Sequence, residues 1–348
     1  MNATTKTILA AAGLGAATVI AARALVRRSR RIDMAGRTAI VTGGSRGLGL
    51  VLARELVDEG VRVALLARTE ADLQSAKADL ESRGGVAEYF VCDVSNRQRV
   101  NDAVRQAETK LGPIDLLFNV AGIIEVGPLD AMTEEDFRKS MDINCWGILH
   151  TTLAVLPGMR ERRFGRIVNI ASIGGKRAVP HMLPYAASKF AAVGLSNGLR
   201  AELAKDGILV STVCPSLMRT GSPRNATFKG QHRKEYAWFS IGDSLPIASM
   251  DARTAARQTI DACRYGDGEV LLRTPLNIGV PLQSLFPGLT RDALALANRL
   301  LPEMGGIGKD SAYGYESFSE WSPSVLTTLT EKAAERNNEM RPRPADAT

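Results

Sequence analysis

The chain of 348 residues is poor in the side chains that cross-link proteins or hold metals. Its cysteines are Cys92, Cys145, Cys214 and Cys263, and they are widely separated with no CxxC pair. This spacing excludes a dense disulfide framework and favours core packing in a reducing compartment. The sequence holds three histidines and no HExxH spacing, so it gives no indication of a metal centre.

Acidic residues are absent before Asp33, whereas five arginines lie between Arg23 and Arg31. The net charge of the whole chain is only +7. A nucleic-acid-binding face combines basic residues with interleaved aromatic ones. This cluster instead follows directly on an apolar run, which argues against a nucleic-acid partner.

The apolar run covers residues 8–26, where only Thr18 and Arg23 are polar. A membrane-spanning helix needs roughly 20 apolar residues, and a basic cluster after it holds that side in the cytoplasm. We therefore expect residues 1–33 to be a separate segment that anchors a cytoplasmic-facing protein. A cleaved signal peptide, an amphipathic or transit segment, and a helix without a partner remain alternatives, as does a soluble cytoplasmic protein.

From Gly36 onward, short apolar runs rich in β-branched residues alternate with helical patterns. The runs lie at 38–43, 61–67, 86–92, 114–122, 166–172 and 208–214, and the helices at 50–60, 70–83, 96–111, 133–160 and 184–205. Strands buried on both faces and separated by helices predict an α/β fold with a doubly wound parallel sheet. Its ligand belongs beyond the carboxyl ends of the strands, where the strand order reverses.

The main domain is expected to cover residues 34–273. Within it, residues 216–250 are rich in Gly, Pro, Ser and aromatics and are typical of a lid over a substrate. A helix at 251–264 and a strand at 269–273 complete the sheet. Residues 274–348 form a C-terminal extension with an amphipathic helix at 290–301, and its end, NNEMRPRPADAT (337–348), is expected to be disordered.

The first predicted strand ends in the glycine-rich sequence TGGSRGLG (42–49), which then opens a helix. Gly43, Gly47 and Gly49 let the backbone turn tightly and approach a pyrophosphate, which the amides of the helix N-terminus face. The position between a strand and a helix is the context that a dinucleotide-binding loop requires.

The end of the second strand indicates which dinucleotide is bound. An acidic residue there binds the ribose hydroxyl of NAD, whereas the extra phosphate of NADP needs positive charge. This chain has Ala67 followed by Arg68, and Arg46 lies within the glycine-rich loop. Two guanidinium groups that converge on one phosphate favour NADP(H) over NAD.

Tyr185 and Lys189 stand four residues apart in YAASK, so both project from one face of a predicted helix. A tyrosine has a pKa of about 10, which a nearby ammonium and a positive nicotinamide ring would lower. Ser172 ends the fifth predicted strand, where its hydroxyl can hydrogen-bond a substrate oxygen. These side chains suit proton transfer coupled to hydride transfer.

The TGxxxGxG and YxxxK motifs, with Asn144, Ser172, Tyr185 and Lys189 in this order, resemble the single-domain branch of the short-chain dehydrogenase/reductase family. The resemblance covers roughly residues 36–273 and implies a Rossmann fold with these four residues as catalytic tetrad. In it, Asn144 holds a water that links Lys189 to solvent. It also implies self-association, as a homodimer or homotetramer, through the helices at 133–160 and around Tyr185.

The resemblance implies a set of cofactor contacts along the whole domain. They are Thr42, Gly43, Ser45, Arg46, Gly47, Leu48 and Gly49 of the glycine-rich loop, Arg68 after the second strand, the adenine-contacting pair Asp93 and Val94, Asn119, Ala121 and Gly122 of NVAG, Tyr185, Lys189, Pro215 and Thr220. The chain departs from the family at Val120, where Asn is usual, and at Ser216, where Gly is usual.

The sequence thus predicts an NADP(H)-dependent oxidoreductase that transfers a hydride to a carbonyl or from a secondary alcohol. Aromatic residues in the predicted lid and the apolar N-terminal segment favour a hydrophobic or lipid-like substrate. Two alternatives remain open: an NAD-dependent alcohol dehydrogenase that works oxidatively, and a non-catalytic protein that binds or senses NADP(H).

Overall fold

The computed structural model describes residues 18, 21–272 and 279–340. Most of the apolar N-terminal segment predicted as an anchor, residues 8–26, lies outside the described residues, as do residues 341–348. Within the described ranges, no helix is long and apolar enough to cross a bilayer. Residues 21–29 are helical (α1) and precede the main domain.

The strands of the described part follow the predicted alternation. They are β1 Thr38–Thr42, β2 Arg62–Ala67, β3 Ala87–Val91, β4 Leu116–Asn119, β5 Glu125–Val126, β6 Gly165–Ile170, β7 Ile208–Cys214, β8 Leu217–Arg219, β9 Thr227–Phe228, β10 Ser249–Asp251, β11 Glu269–Leu271 and β12 Ala312–Tyr313. Seven of them form one parallel sheet in the order β3-β2-β1-β4-β6-β7-β11. The strand order reverses between β1 and β4, which confirms the doubly wound α/β fold and places a crevice at that point.

The helices cover both faces of this sheet. They are α2 Gly47–Asp58, α3 Glu70–Ser82, α4 Arg97–Leu111, α5 Glu134–Met141, α6 Gly147–Glu161, α7 Leu183–Leu203, α8 His232–Ser244, α9 Ala252–Tyr265, α10 Gly279–Leu285, α11 Pro287–Asn298 and α12 Thr328–Arg336. Apolar side chains of α2 and α9 build the core on one face, and those of α4 and α6 build it on the other. The central strands are therefore buried on both sides, as their apolar composition predicts.

The long helix predicted at 133–160 is interrupted in the structure. A π-helical turn, Asp142–Trp146, separates α5 from α6. Such wide turns occur mostly as single insertions, frequently at functional sites. Here the turn contains Asn144, whose buried side chain hydrogen-bonds to both backbone groups of Ile123.

The predicted lid, residues 216–250, contains β8, β9, α8 and β10, and the C-terminal extension packs on it. β12 pairs antiparallel with β9, and Thr330 of α12 donates a hydrogen bond of 2.7 Å to Asp243 of α8. The amphipathic helix predicted at 290–301 corresponds to α11, but Leu289 and Leu296 on it stay exposed. The extension is therefore a second layer over the lid.

The end of the extension differs from the expectation of disorder. Asn337, Asn338 and Glu339 make defined hydrogen bonds to the glycine-rich loop and to the lid. This polar segment is ordered by contacts with residues that are distant in sequence. Its own composition gives no sign of those contacts. The expectation for residues 341–348 lies outside the described residues.

Buried polar side chains connect the carboxyl ends of the central strands. Asn119 of β4 donates to Asn169 of β6 at 2.9 Å, and Asn169 donates to Ser196 of α7 at 2.9 Å. Thr212 of β7 donates to the same Ser196 hydroxyl at 2.7 Å, and Thr151 of α6 donates to Asn119 at 2.6 Å. This polar network joins three strands and two helices directly beneath the crevice.

Asn169→Ala is expected to lower the free energy of unfolding by about 3 kcal/mol, because it leaves the buried Nδ2 of Asn119 without its acceptor, at about 1–3 kcal/mol, and removes one of the hydrogen bonds to Ser196. The same replacement at Asn298, which is exposed on α11, is the matched control and should change stability little. Urea unfolding followed by circular dichroism measures both. Equal stability of the two variants would show that the network does not support the fold.

Candidate active site

The glycine-rich loop follows β1 and opens α2. Gly43 has a φ of +65°, a backbone conformation that suits glycine, and a Cβ at this position would lie 2.9 Å from the Cα of Ala121. The loop therefore passes tightly against the turn after β4. This close approach leaves the amides at the start of α2 at the edge of the crevice, as a phosphate-binding loop requires.

Two residues that were predicted to contact the cofactor, Thr42 and Asn119, bond within the scaffold and do not line the crevice. The hydroxyl of Thr42 accepts the backbone N–H groups of Val120 and Ala121 at 3.0 and 3.1 Å. The side chain of Asn119 belongs to the polar network described above. Both residues fix the turn after β4, so they shape the crevice from behind.

The remaining predicted cofactor residues converge on one cleft of about 250 Å³ at the strand reversal. Its lining includes Gly43, Ser45, Arg46, Gly47, Leu48, Gly49, Arg68, Asp93, Val94, Ala121, Gly122, Ser172, Tyr185, Lys189, Pro215 and Thr220. Arg68 lies at the carboxyl end of β2, whereas Tyr185 and Lys189 lie on α7. The cleft therefore joins the two predicted guanidinium groups to the predicted proton-transfer residues.

Ser172, Tyr185 and Lys189 meet where β6 ends and α7 begins. A Cβ on Gly174 would lie 3.2 Å from Cε1 of Tyr185 and 3.3 Å from the hydroxyl of Ser172, so these two side chains flank the same point. The Nζ of Lys189 donates to the carbonyl of Ile170 at 2.9 Å and lies 5.7 Å from the Tyr185 ring centre. Three residues from two elements thus form one cluster.

Burial dominates the titration of this cluster. Desolvation raises the pKa of Tyr185, against a smaller lowering effect of its hydrogen bond to Ser172. Desolvation also lowers the pKa of Lys189 to about 8. The sequence argument expected the ammonium to lower the tyrosine pKa, but in this structure both shifts favour the uncharged forms.

Asn144 lies behind the cleft and does not line it. Its Oδ1 accepts the N–H of Ile123 at 3.0 Å, and its Nδ2 donates to the hydroxyl of Ser188 at 2.9 Å. A Cβ on Gly122 would lie 2.9 Å from Asn144 Oδ1 and 3.5 Å from Lys189 Nζ. Asn144 and Lys189 thus approach the same glycine, and the π-helical turn places Asn144 there.

Two orphaned polar atoms test whether the cleft fits a nicotinamide dinucleotide. In the described part of the chain, the buried Oγ of Ser216 and Oδ1 of Asn225 have no hydrogen-bond partner, and both residues line the cleft. Buried polar atoms without partners are costly and commonly mark a place where a ligand binds. Together with the glycine-rich loop and two arginines, they fit such a cofactor.

Sequence reasoning missed several polar residues of the cleft, among them Asn225 and Glu339. Asn225 lies within the predicted lid, where a single polar residue gives only a weak signal. Glu339 belongs to the chain end that was expected to be disordered, and no motif marks it. Among the residues that the structure describes, no cluster of His, Cys, Asp or Glu could hold a metal ion.

The chain matches known proteins over most of the main domain. The family model for short chain dehydrogenases matches residues 37–229, which is more than half of the chain. Rat 17-beta-hydroxysteroid dehydrogenase 13 is 31% identical over 261 residues, which cover 74% of this chain and 82% of that protein. A putative ketoacyl reductase of Streptomyces coelicolor is 40% identical over 184 residues, covering 52% of this chain and 70% of that protein.

Solved structures of similar proteins have the same architecture. A variant of actinorhodin polyketide ketoreductase with NADPH aligns with a TM-score of 0.61 at 32% identity, covering 69% of this chain and 97% of that one. Gluconate 5-dehydrogenase from Burkholderia cenocepacia, in complex with NADP and tartrate, aligns with a TM-score of 0.62 at 29% identity, covering 71% of this chain and 96% of that one. The chain therefore belongs to the short-chain dehydrogenase family and is an oxidoreductase of that family.

Proposed function

We propose that this protein interconverts a carbonyl compound and the corresponding secondary alcohol with NADP(H), and that Tyr185 is its acid and base. The observation that carries the proposal is the cluster of Ser172, Tyr185 and Lys189 at one end of a cleft whose other end holds the glycine-rich loop and Arg68. One connected cleft thereby joins a dinucleotide-binding loop to a proton-transfer group.

The proposed reaction assigns one role to each side chain. Bound NADP(H) supplies or accepts the hydride at the substrate carbon. In reduction, the Tyr185 phenol donates its proton to the carbonyl oxygen, and the Ser172 hydroxyl orients that oxygen. Lys189 favours the phenolate left behind, because positive charge near a phenol stabilises its ionised form. Asn144 holds the turn that carries Gly122 beside Lys189, and oxidation runs the same proton transfer in reverse.

NADP(H) is the proposed cofactor because two arginines line the cleft on the side where the adenosine ribose is expected. Arg46 and Arg68 both line it, and β2 ends in Ala67 with no carboxylate. A guanidinium holds a phosphate in bidentate geometry. The two structurally similar proteins contain NADPH and NADP, respectively, which supports the same choice.

The proposed substrate is hydrophobic, because the surroundings of Tyr185 are apolar. The cleft that Tyr185 lines also has apolar side chains in its wall, those of Ile123, Ile124, Ile143 and Met218. A pocket of this composition gains binding energy from apolar surface and offers few polar partners. The relatives named for hydroxysteroids and ketoacyl groups point to the same class of substrate.

Self-association through α6 and α7 is also proposed. Leu153 on α6 and Phe190 on α7 are large apolar side chains that stay exposed, as does Trp146 directly before α6. Exposed apolar side chains on adjoining helices are typical of an interface between subunits.

Membrane attachment through residues 8–26 is proposed from the sequence pattern alone.

Tyr185→Phe should reduce the rate of NADPH-dependent carbonyl reduction by at least about 100-fold, because positioned acid catalysis contributes about 10²–10⁴-fold. The affinity for NADPH should stay within about twofold, since that change removes only one hydroxyl. Absorbance at 340 nm measures the rate, and NADPH fluorescence measures the affinity. Tyr265→Phe, at the end of α9, is the matched control. Undiminished turnover by the Tyr185 variant would remove Tyr185 from the proposed mechanism.

Arg68→Ala should raise the Kd for NADPH about tenfold or more and leave the Kd for NADH unchanged, because a charged hydrogen bond contributes about 1.5–3 kcal/mol. Arg97→Ala, at the exposed start of α4, is the control. Titration of both nucleotides by intrinsic fluorescence gives the two constants. If NADH binding weakens as much as NADPH binding, Arg68 does not contact the ribose phosphate.

Phe190→Asp combined with Leu153→Asp should convert the native oligomer to monomers, because it places carboxylates in the proposed apolar interface. Both side chains are exposed in the single chain, so the fold should tolerate the charge. Size-exclusion chromatography with light scattering measures the mass. Leu289→Asp with Leu296→Asp on α11 is the control, and an unchanged mass of the first variant would place the interface elsewhere.

A further inference from the structure

The last described residues of the chain return to the glycine-rich loop. We call Asn337–Met340, which follow α12, the C-terminal strap. The carbonyl of Asn337 accepts the N–H of Gly47 at 2.9 Å. The side chain of Asn338 donates to the carbonyls of Ser45 and Asp72 at 3.0 and 3.3 Å. The strap therefore bonds to the backbone of the loop that is built to face a phosphate.

Glu339 places a carboxylate against the same loop. The residue is only 4% exposed, and its Oε2 accepts a hydrogen bond from Asn225 at 2.5 Å and lies 3.6 Å from Nε of Arg46. A Cβ on Gly47 would lie 2.6 Å from its Oε1. The carboxylate thus contacts the glycine-rich loop. This loop lies between the end of the cleft that holds Arg68 and the end that holds Tyr185.

The groups that hold the strap are those that bind anions. The amides at the start of a helix and a nearby guanidinium favour negative charge, from a phosphate or from a carboxylate. The strap engages the N–H of Gly47 and the guanidinium of Arg46. Desolvation raises the pKa of Glu339 and Arg46 opposes this, which agrees with a buried carboxyl held by that arginine.

The cleft that Glu339 lines is small for a dinucleotide. The cleft measures about 250 Å³, whereas sites for drug-sized ligands have about 300–1,000 Å³. A dinucleotide that reaches from Arg68 to Tyr185 has to pass the glycine-rich loop at Gly47. Its pyrophosphate would there meet a carboxylate of the same charge in a site shielded from solvent.

The strap is anchored by several contacts of α12. Gly221 of the lid has a φ of +90°, and any Cβ there would overlap the backbone of Ala334. Arg54 of α2 donates to the carbonyl of Arg336 at 2.9 Å, and Arg224 pairs with Glu331 at 2.8 Å. These contacts of α12 with the lid and with α2 hold the strap at the cleft.

We propose that the C-terminal strap competes with the cofactor inside the same molecule: Glu339 occupies the anion position at the glycine-rich loop, and nucleotide binding requires the strap to leave. This inference rests on the proposed function, because it takes the pyrophosphate as the competitor. The pyrophosphate is common to NADPH and NADH. The strap therefore weakens the binding of both nucleotides, whereas Arg68 discriminates between them.

Glu339→Gln in the full chain removes the charge and keeps the shape of the side chain. It should lower the Kd for NADPH and for NADH by about tenfold or more, each factor of ten being 1.4 kcal/mol. Glu339→Ala should also lower both Kd values, because it removes the carboxylate together with the packing of its side chain. Glu335→Gln, exposed one turn earlier on α12, makes the same charge change away from the cleft and should leave both constants unaltered.

Calorimetric titration of the four proteins with each nucleotide distinguishes the outcomes. Unchanged or weaker binding by the Glu339 variants overturns the inference, since Glu339 would then be neutral or part of the cofactor site. If none of the proteins binds either nucleotide, the proposed cofactor is wrong and the strap has no nucleotide to exclude. If all four proteins bind the nucleotides with equal affinity, the proposed function stands, but the strap does not affect nucleotide binding.

Trypsin gives a second readout that does not depend on affinity. Arg341 and Arg343 are each followed by proline, so the bond after Arg336 is the last one in the chain that trypsin cleaves readily. NADPH should accelerate release of the peptide 337–348 from the wild-type protein several-fold, as measured by mass spectrometry. Slower release would mean that the strap closes over the nucleotide, and would overturn the competition.

Discussion

The hydrogen bonds among the buried side chains of Asn119, Asn169 and Ser196 fix the carboxyl edge of the central sheet. Three elements of the candidate site leave the scaffold close to them: the turn with Gly122 follows β4, Ser172 follows β6, and α7 carries Tyr185. Buried polar groups tolerate few alternative arrangements, because each unpaired atom is expensive in a low dielectric. The polar network therefore specifies the relative position of the three elements more sharply than apolar packing would.

Charge is distributed unevenly along the cleft that this edge supports. The wall that contains Arg46 and Arg68 also contains Asp72 and Asp93, whereas the end near Tyr185 is apolar and desolvation there lowers the pKa of Lys189. A neutral phenol suits proton donation, and a lysine with a pKa of about 8 changes its charge readily near neutrality. Glu339 is paired with Arg46, so the described chain partly neutralises the charge of its own glycine-rich loop.

The sequence predicted the sheet and the cleft because their signals are local. Short apolar runs mark strands buried on both faces, and Gly43 is needed where the loop passes the backbone of Ala121. Side-chain direction was not predictable in the same way. Thr42 and Asn119 stand at positions that the family resemblance assigns to the cofactor, yet both side chains bond within the scaffold. The π-helical turn at Asn144 has no marker in the helical pattern.

The chain end was unpredictable for a different physical reason. NNEM is polar and has little apolar surface to bury, so local composition indicates disorder. Its order comes from partners that are remote in sequence: Gly47, Arg54 and Asn225. A carboxylate tethered to the same molecule meets the glycine-rich loop at high effective concentration, so even weak contacts hold it there. Nucleotide affinity is on this view a property of the loop and of the chain end together.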